Sequence, residues 1–211
     1  KKFFFLSNVI SSYQFDFLSE LSSKVFLNFF FLEKKLKNFK WALKKKSWYS
    51  FNNKFLFPKI FYNNHHFDII IVGGYNIQFS LISLIYSKVN KIKFYFWLEK
   101  TKKNSSIFFL MKKIYFSIIL RFADGVMAIG KEAEKFYKNY NSNTIYLPYS
   151  INLSKFKKKI YKAKKKITFL FVGQLIDRKG IIELLNAFND LPTNYCVLKI
   201  AGIGPHKKII K

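Results

Sequence analysis

Arg178 and Lys179 close the stretch F-V-G-Q-L-I-D-R-K-G, residues 171–180, which has a glycine near its start and another at its end. Cations beside glycine-marked backbone suit phosphate, because a chain without Cβ lets N–H groups approach the anion while the side chains bring charge. Gln174 adds a neutral hydrogen-bonding group to the same loop. The apolar run Ile167–Val172 ahead of it predicts a strand buried on both faces. Behind it Ile181, Leu184, Leu185 and Phe188 recur at helical spacing, and a helix N-terminus favours negative charge. A second strand-to-glycine junction, D-I-I-I-V-G-G-Y at 68–75, precedes a helical pattern over 77–89. Gly73 and Gly74 leave room at the carboxyl end of that strand, where open α/β sheets keep their sites. The third glycine of a dinucleotide fingerprint is missing, so a Rossmann cofactor is not expected.

The elements needed to hold these loops alternate along the chain. Strands are predicted at 3–10, 25–32, 68–72, 92–98, 125–129 and 144–147, with helices at 13–21, 77–89, 107–122 and 132–140 between them. Such βα alternation predicts a parallel, doubly wound sheet. Residues 33–53 are basic and aromatic with weak periodicity and read as an irregular solvated loop. Pro148 and Ser150 then mark a turn, and a lysine run from Lys155 to Lys166 reads as a hinge. The expected organisation is a complete domain over 1–150, a basic linker over 151–166, and the start of a second βα domain over 167–211, with a further strand at 195–201. Two strands alone are marginal. The chain does not begin with Met and stops inside an unfinished unit, so a fragment is expected.

Composition bounds the possibilities. The chain has 211 residues, half of them hydrophobic, which is enough for a buried core. The formal charge of +27 accompanies abundant Lys, Phe, Ile, Asn and Tyr, a bias resembling that of AT-rich codon usage. Nucleic acid is therefore not an expected partner, although so basic a surface is drawn to anionic membrane. The single cysteine, Cys196, excludes a disulfide framework and reads as a buried structural thiol. No apolar run approaches the roughly 18 residues of a membrane span. His65 and His66 lack metal-ligand spacing and read as surface loop. The sequence supports no Ser/His/Asp or Cys/His arrangement.

F-V-G-Q-L-I-D-R-K-G-I-I-E-L-L-N-A-F, followed by L-K-I-A-G-I-G-P at 198–205, resembles the opening of the nucleotide-sugar domain of glycosyltransferase family 4. Upstream, A-D-G-V-M-A-I-G-K-E-A-E-K-F at 123–136, L-P-Y-S-I-N-L-S-K-F at 147–156 and the Ser-Ser-Tyr turn follow the family's order. The resemblance implies a GT-B fold of two facing Rossmann-like domains, and a retaining, metal-independent enzyme. It implies that Lys179 contacts the donor diphosphate, with Gly173, Gln174 and Arg178 beside it. Gln174 stands where many members carry arginine, and Arg178 is expected to supply that charge. Gly202 and Gly204 would lie near the nucleotide. Ser11, Ser12, Tyr13, Gly73, Gly74 and Tyr75 would face the acceptor cleft, and Glu99 lies near where many members place an active-site histidine.

The implied partners are a nucleotide-diphosphate sugar, as co-substrate rather than cofactor, and a saccharide or lipid-linked acceptor in surface-polysaccharide assembly. The implied location is the cytoplasm, at the inner face of the membrane. The family's glutamate-rich loop has no counterpart here, so the fragment is expected to be inactive by itself. Two other readings remain open: a basic non-catalytic module gripping anionic membrane or nucleic acid, and a truncated gene remnant.

Overall fold

The computed structural model describes residues 1–8, 11–31, 47, 49–51, 66–74, 76–100, 107–150, 153–155, 166–192 and 194–209. The chain divides into two compact units, Lys1–Lys155 and Phe156–Lys211. Most of the lysine-rich linker expected over 151–166 lies outside the described residues, as does His65.

In the first unit, strands β1 (Lys2–Ser7), β2 (Phe26–Phe31), β3 (Tyr49–Phe51), β4 (Ile69–Gly73), β5 (Lys93–Glu99), β6 (Gly125–Ile129) and β7 (Thr144–Tyr146) form one sheet. Every pairing is parallel, and the order is β3-β2-β1-β4-β5-β6-β7. Helices α1 (Ser12–Ser22), α2 (Ile77–Val89), α3 (Ile107–Phe122) and α4 (Lys131–Lys138) make the described crossovers. From β1 the chain steps one way to β2 and later the other way through β4 to β7. Right-handed crossovers in opposite directions put helices on opposite faces of a sheet. Side chains alternate accordingly: Phe4, Phe94 and Phe96 share a core with α2, α3 and α4, while Phe5, Phe29 and Phe31 pack with Leu18 of α1.

Local chemistry explains the helix starts. Ser11 caps α1 through a capping box, its Oγ accepting from the Gln14 N–H while Gln14 Oε1 accepts from the Ser11 N–H at 2.9 Å. Asn76 caps α2 by accepting from the Phe79 N–H at 3.2 Å. Trp97, buried on the α1 face, sets its ring edge-on to Phe5 at 5.3 Å and donates Nε1–H to the Leu147 carbonyl at 3.2 Å. It thereby fastens the chain leaving β7 to the sheet.

The second unit holds β8 (Ile167–Val172) and β9 (Cys196–Ala201), paired in parallel, with α5 (Ile181–Asn189) between them. Two expectations need correction here. The strand at 167–172 forms, but it is largely exposed rather than buried on both faces, with Val172 at 72%. Among the described residues its cover is slight, and Phe169 meets Phe188 of α5 at a 6.1 Å ring separation. Cys196 is half-buried in β9, because that sheet too lacks a second covering layer among the described residues. In the first unit, the stretch read as irregular loop contains β3, whose three residues become a strand by pairing with Phe29–Phe31. Its alternation, Tyr49-Ser50-Phe51, is too short to announce a strand within a basic, aromatic stretch. The first strand, expected over 3–10, ends at Ser7, and the other element ends agree within about two residues, as helix and strand ends generally do.

Asp124, between α3 and β6, pins β5 by accepting from the Phe94 N–H at 2.9 Å and from Lys88 Nζ at 3.1 Å. Partial burial pushes its carboxyl upward, but the Phe94 and Lys88 bonds outweigh this and hold it below its ordinary 3.8. The side chain keeps 35% exposure, so solvent screens the ion pair. A depressed folded value gives stability that is present above the unfolded value, about pH 4, and lost as pH falls through the folded one. Asp124→Ala is expected to cost about 1 kcal/mol at neutral pH, chiefly through the Phe94 N–H left unpaired. The thermal midpoint should drop by about 2–4 °C. By circular dichroism the gap should narrow below about pH 3; a constant gap would show that Asp124 contributes no charge-dependent stability.

Candidate functional site

At the carboxyl edge of the first sheet, β1 and β4 end side by side, with Ser7 in register with Gly73. Strand order reverses here, at the switch point where ligands sit in open α/β sheets. A Cβ on Gly73 would come within 3.4 Å of both the Phe5 ring and Ser7 Oγ. Gly74 has φ +93 and donates to the Trp97 carbonyl at 3.3 Å, a conformation that favours glycine. Gly73 and Gly74 thus share the crevice with Ser7 and Asn8, which sequence reading did not single out. Asn8 Nδ2 lies 3.9 Å from the place of a Gly74 Cβ. Nothing local marks either residue; only the β1–β4 register brings them there.

The other acceptor-side residues fare differently. Ser11 is engaged in its helix cap, its Oγ also lying 3.0 Å from Gln14 Oε1. Tyr75 lies outside the described residues, as do the side chains of Ser12 and Tyr13. Glu99 closes β5 at the same edge, and its carbonyl accepts from the Tyr137 hydroxyl at 2.7 Å. Its exposed carboxylate has no ion pair among the described residues.

In the second unit the loops after β8 and β9 lie backbone against backbone. The Gly173 and Leu175 N–H groups donate to the carbonyls of Ala201 and Ile203 at 3.0 and 2.9 Å, and His206 N–H donates to the Leu175 carbonyl at 3.3 Å. A Cβ on Gly202 would overlap the Gly173 carbonyl oxygen, and one on Gly204 would overlap that of Leu175. Both glycines are therefore needed for close approach of the two loops. Asp177–Lys179 forms a 3₁₀ turn that ends at Gly180, with φ 67 in the left-handed region, and α5 starts directly after it without a side-chain cap.

Asp177 is held by His206, whose Nε2 lies 2.8 Å from its carboxylate. Arg178 and Lys179, both exposed, have no ion pair among the described residues. The nearest acid is thus turned toward His206 while the two cations stay open to solvent. Glu183 in the first turn of α5 already gives that helix start a negative charge. Charge for an anion would therefore come from Arg178 and Lys179 more than from the dipole. Half-buried Gln174 lies in the same loop. His206 was missed in the sequence because its partner lies 29 residues away. Among the described residues, no three His, Cys, Asp or Glu side chains gather as metal ligands.

Solved structures share this fold. HepE of Anabaena in complex with UDP superposes with a TM-score of 0.70 at 11% identity, over 100% of this chain and 63% of that one. HepE in complex with UDP-glucose gives 0.64 at 12% identity, over 96% of this chain and 60% of that one. The lipopolysaccharide outer core galactosyltransferase WaaB, apo form, gives 0.59 at 20% identity, over 99% of this chain and 63% of that one. The fold is GT-B. At such identities the likeness concerns fold alone, and the chain spans 60–63% of the length of these GT-B proteins. No family model and no curated protein matches the sequence.

The glycine contacts of the GT-B second unit can be tested directly. Gly204→Ala should force the β8 and β9 loops apart at a cost of about 1–3 kcal/mol. Hydrogen exchange at the Leu175 amide should accelerate by about tenfold or more. Unchanged exchange would show that the loops do not need this approach.

Proposed function

We propose that the chain is the acceptor-side domain and the beginning of the donor-side domain of a retaining glycosyltransferase, related to family 4. It would move a sugar from a nucleotide diphosphate to a saccharide or lipid-linked acceptor in surface-polysaccharide assembly. The observation that carries this proposal is the pair Arg178–Lys179, unpaired among the described residues at a left-handed glycine turn beyond β8. The UDP named with HepE and the galactosyl transfer named for WaaB supply its context.

As the bond from the anomeric carbon to the diphosphate breaks, negative charge grows on the leaving phosphate oxygens. Lys179 and Arg178 stabilise that charge electrostatically, and Gln174 adds a neutral hydrogen bond. Side chains thus meet the diphosphate charge, so no metal is required. Gly173, Gly202 and Gly204 keep bulk away from the nucleotide, and the acceptor enters at Gly73, Gly74 and Glu99. The enzyme works at the cytoplasmic side of an anionic membrane.

UDP titrated into the chain by calorimetry tests the donor half. Lys179→Ala should weaken binding about ten- to a hundredfold, as expected for a charge-assisted hydrogen bond, and EDTA should leave it unchanged. Equal affinity in the variant would refute the phosphate assignment. The net charge of +27 favours a second reading, a non-catalytic basic module. That module would bind DNA with a steep log–log salt slope and ignore UDP.

A further inference from the structure

We propose that the outer faces of α2 and α3 form a docking surface for an anionic bilayer. On α2 the residues Ile77, Leu81, Ile85 and Val89 recur every four positions, and all are exposed, Val89 at 76%. On α3 the same spacing carries Leu110, Ile114, Ile118 and Phe122, again all exposed, Phe122 at 60%. Four-residue spacing keeps each set on one stripe of its helix. The opposite sides of both helices, through Phe79, Leu84, Phe116 and Leu120, enter one shared core. The helices therefore lie on the same face of the sheet, and the Tyr115 hydroxyl ties them by donating to the Ile77 carbonyl at 2.8 Å. The two stripes thus add eight exposed apolar side chains on one face of the sheet, whereas isolated exposed apolar residues are ordinary.

Charge selects the occupant. Neither helix contains an acidic residue. Lys91, Lys113 and Arg121 are exposed around the stripes, so the surface is apolar with a basic surround, the pattern of a helix lying in an anionic interface. A second copy of this face would bring those cations against their own counterparts, which is unfavourable. No described helix is long and apolar enough to cross a membrane, so these helices lie on it. The α2 stripe begins at Ile77, directly after the Asn76 cap and close behind the Gly73–Gly74 end of β4. Docking would thus bring the bilayer to the edge of the acceptor crevice. The inference rests on the membrane part of the proposed function and not on its donor site.

Sedimentation of the whole chain with phosphatidylcholine vesicles, with and without one-third phosphatidylglycerol, provides the test. The chain should bind the anionic vesicles and remain partly bound in high salt, since apolar insertion is not screened. Ile85→Glu with Ile118→Glu should weaken binding at least about tenfold, because insertion energy scales with buried apolar carbon. Ser142→Glu, on an exposed loop elsewhere, should change it by less than about twofold per charge altered. Both variants should retain the parent circular dichroism spectrum and UDP affinity, which separates failure here from failure of the donor site. Should the double variant misfold, complete release of the parent chain by salt would by itself overturn the proposal. So would unchanged vesicle binding by a folded double variant. Conversion of a parent dimer to monomers by the double variant, without vesicle binding by the parent, would assign the face to self-association instead.

Discussion

Strand β1 has a neighbour on each side, β2 on one and β4 on the other, and the chain can serve both only by crossing over in opposite directions. Because crossovers are right-handed, α1 is forced to one face and α2, α3 and α4 to the other. The same reversal parts the loops above β1 and β4, and the gap left there holds Ser7, Asn8, Gly73 and Gly74. Alternating Phe4 and Phe5 belong to different cores for this reason alone. The crevice is a by-product of handedness, and side chains only furnish it.

Much of this was legible in the residues. Apolar runs rich in Phe and Ile, helical spacing between them and glycines at strand ends gave the element order, while the resemblance of residues 171–205 to family 4 gave the GT-B expectation. What stayed hidden depends on distant partners. The Tyr49–Phe51 strand exists because Phe29–Phe31 stands beside it. The pairing of His206 with Asp177 joins loops from different strands. The exposure of β8 follows from how little packs on it, although its sequence is that of a core strand. Ser11 shows the opposite failure, since a serine at a strand end is also the ordinary helix cap.

Electrostatics in the second unit depends on which acids are occupied. Asp177 precedes Arg178 and Lys179 and would be their nearest carboxylate, yet His206 engages it from the neighbouring loop. That loop can come close only because Gly202 and Gly204 carry no side chain. Two features that look separate in the sequence, a glycine-rich turn and a basic pair, are thus one arrangement, in which backbone contact on one side leaves charge open on the other.

The strand order also fixes how the sheet can assemble during synthesis. The first 31 residues already contain β1, α1 and β2, so a parallel pair can close early. Each later strand then joins a free edge: β3 beside β2, and β4, β5, β6 and β7 outward from β1 in the order they are made. None must wedge between strands already paired. The cost is an interval in which one edge of β1, the run Phe3–Leu6, waits for a partner more than sixty residues downstream. An apolar edge left open that long is where a nascent chain meets other chains.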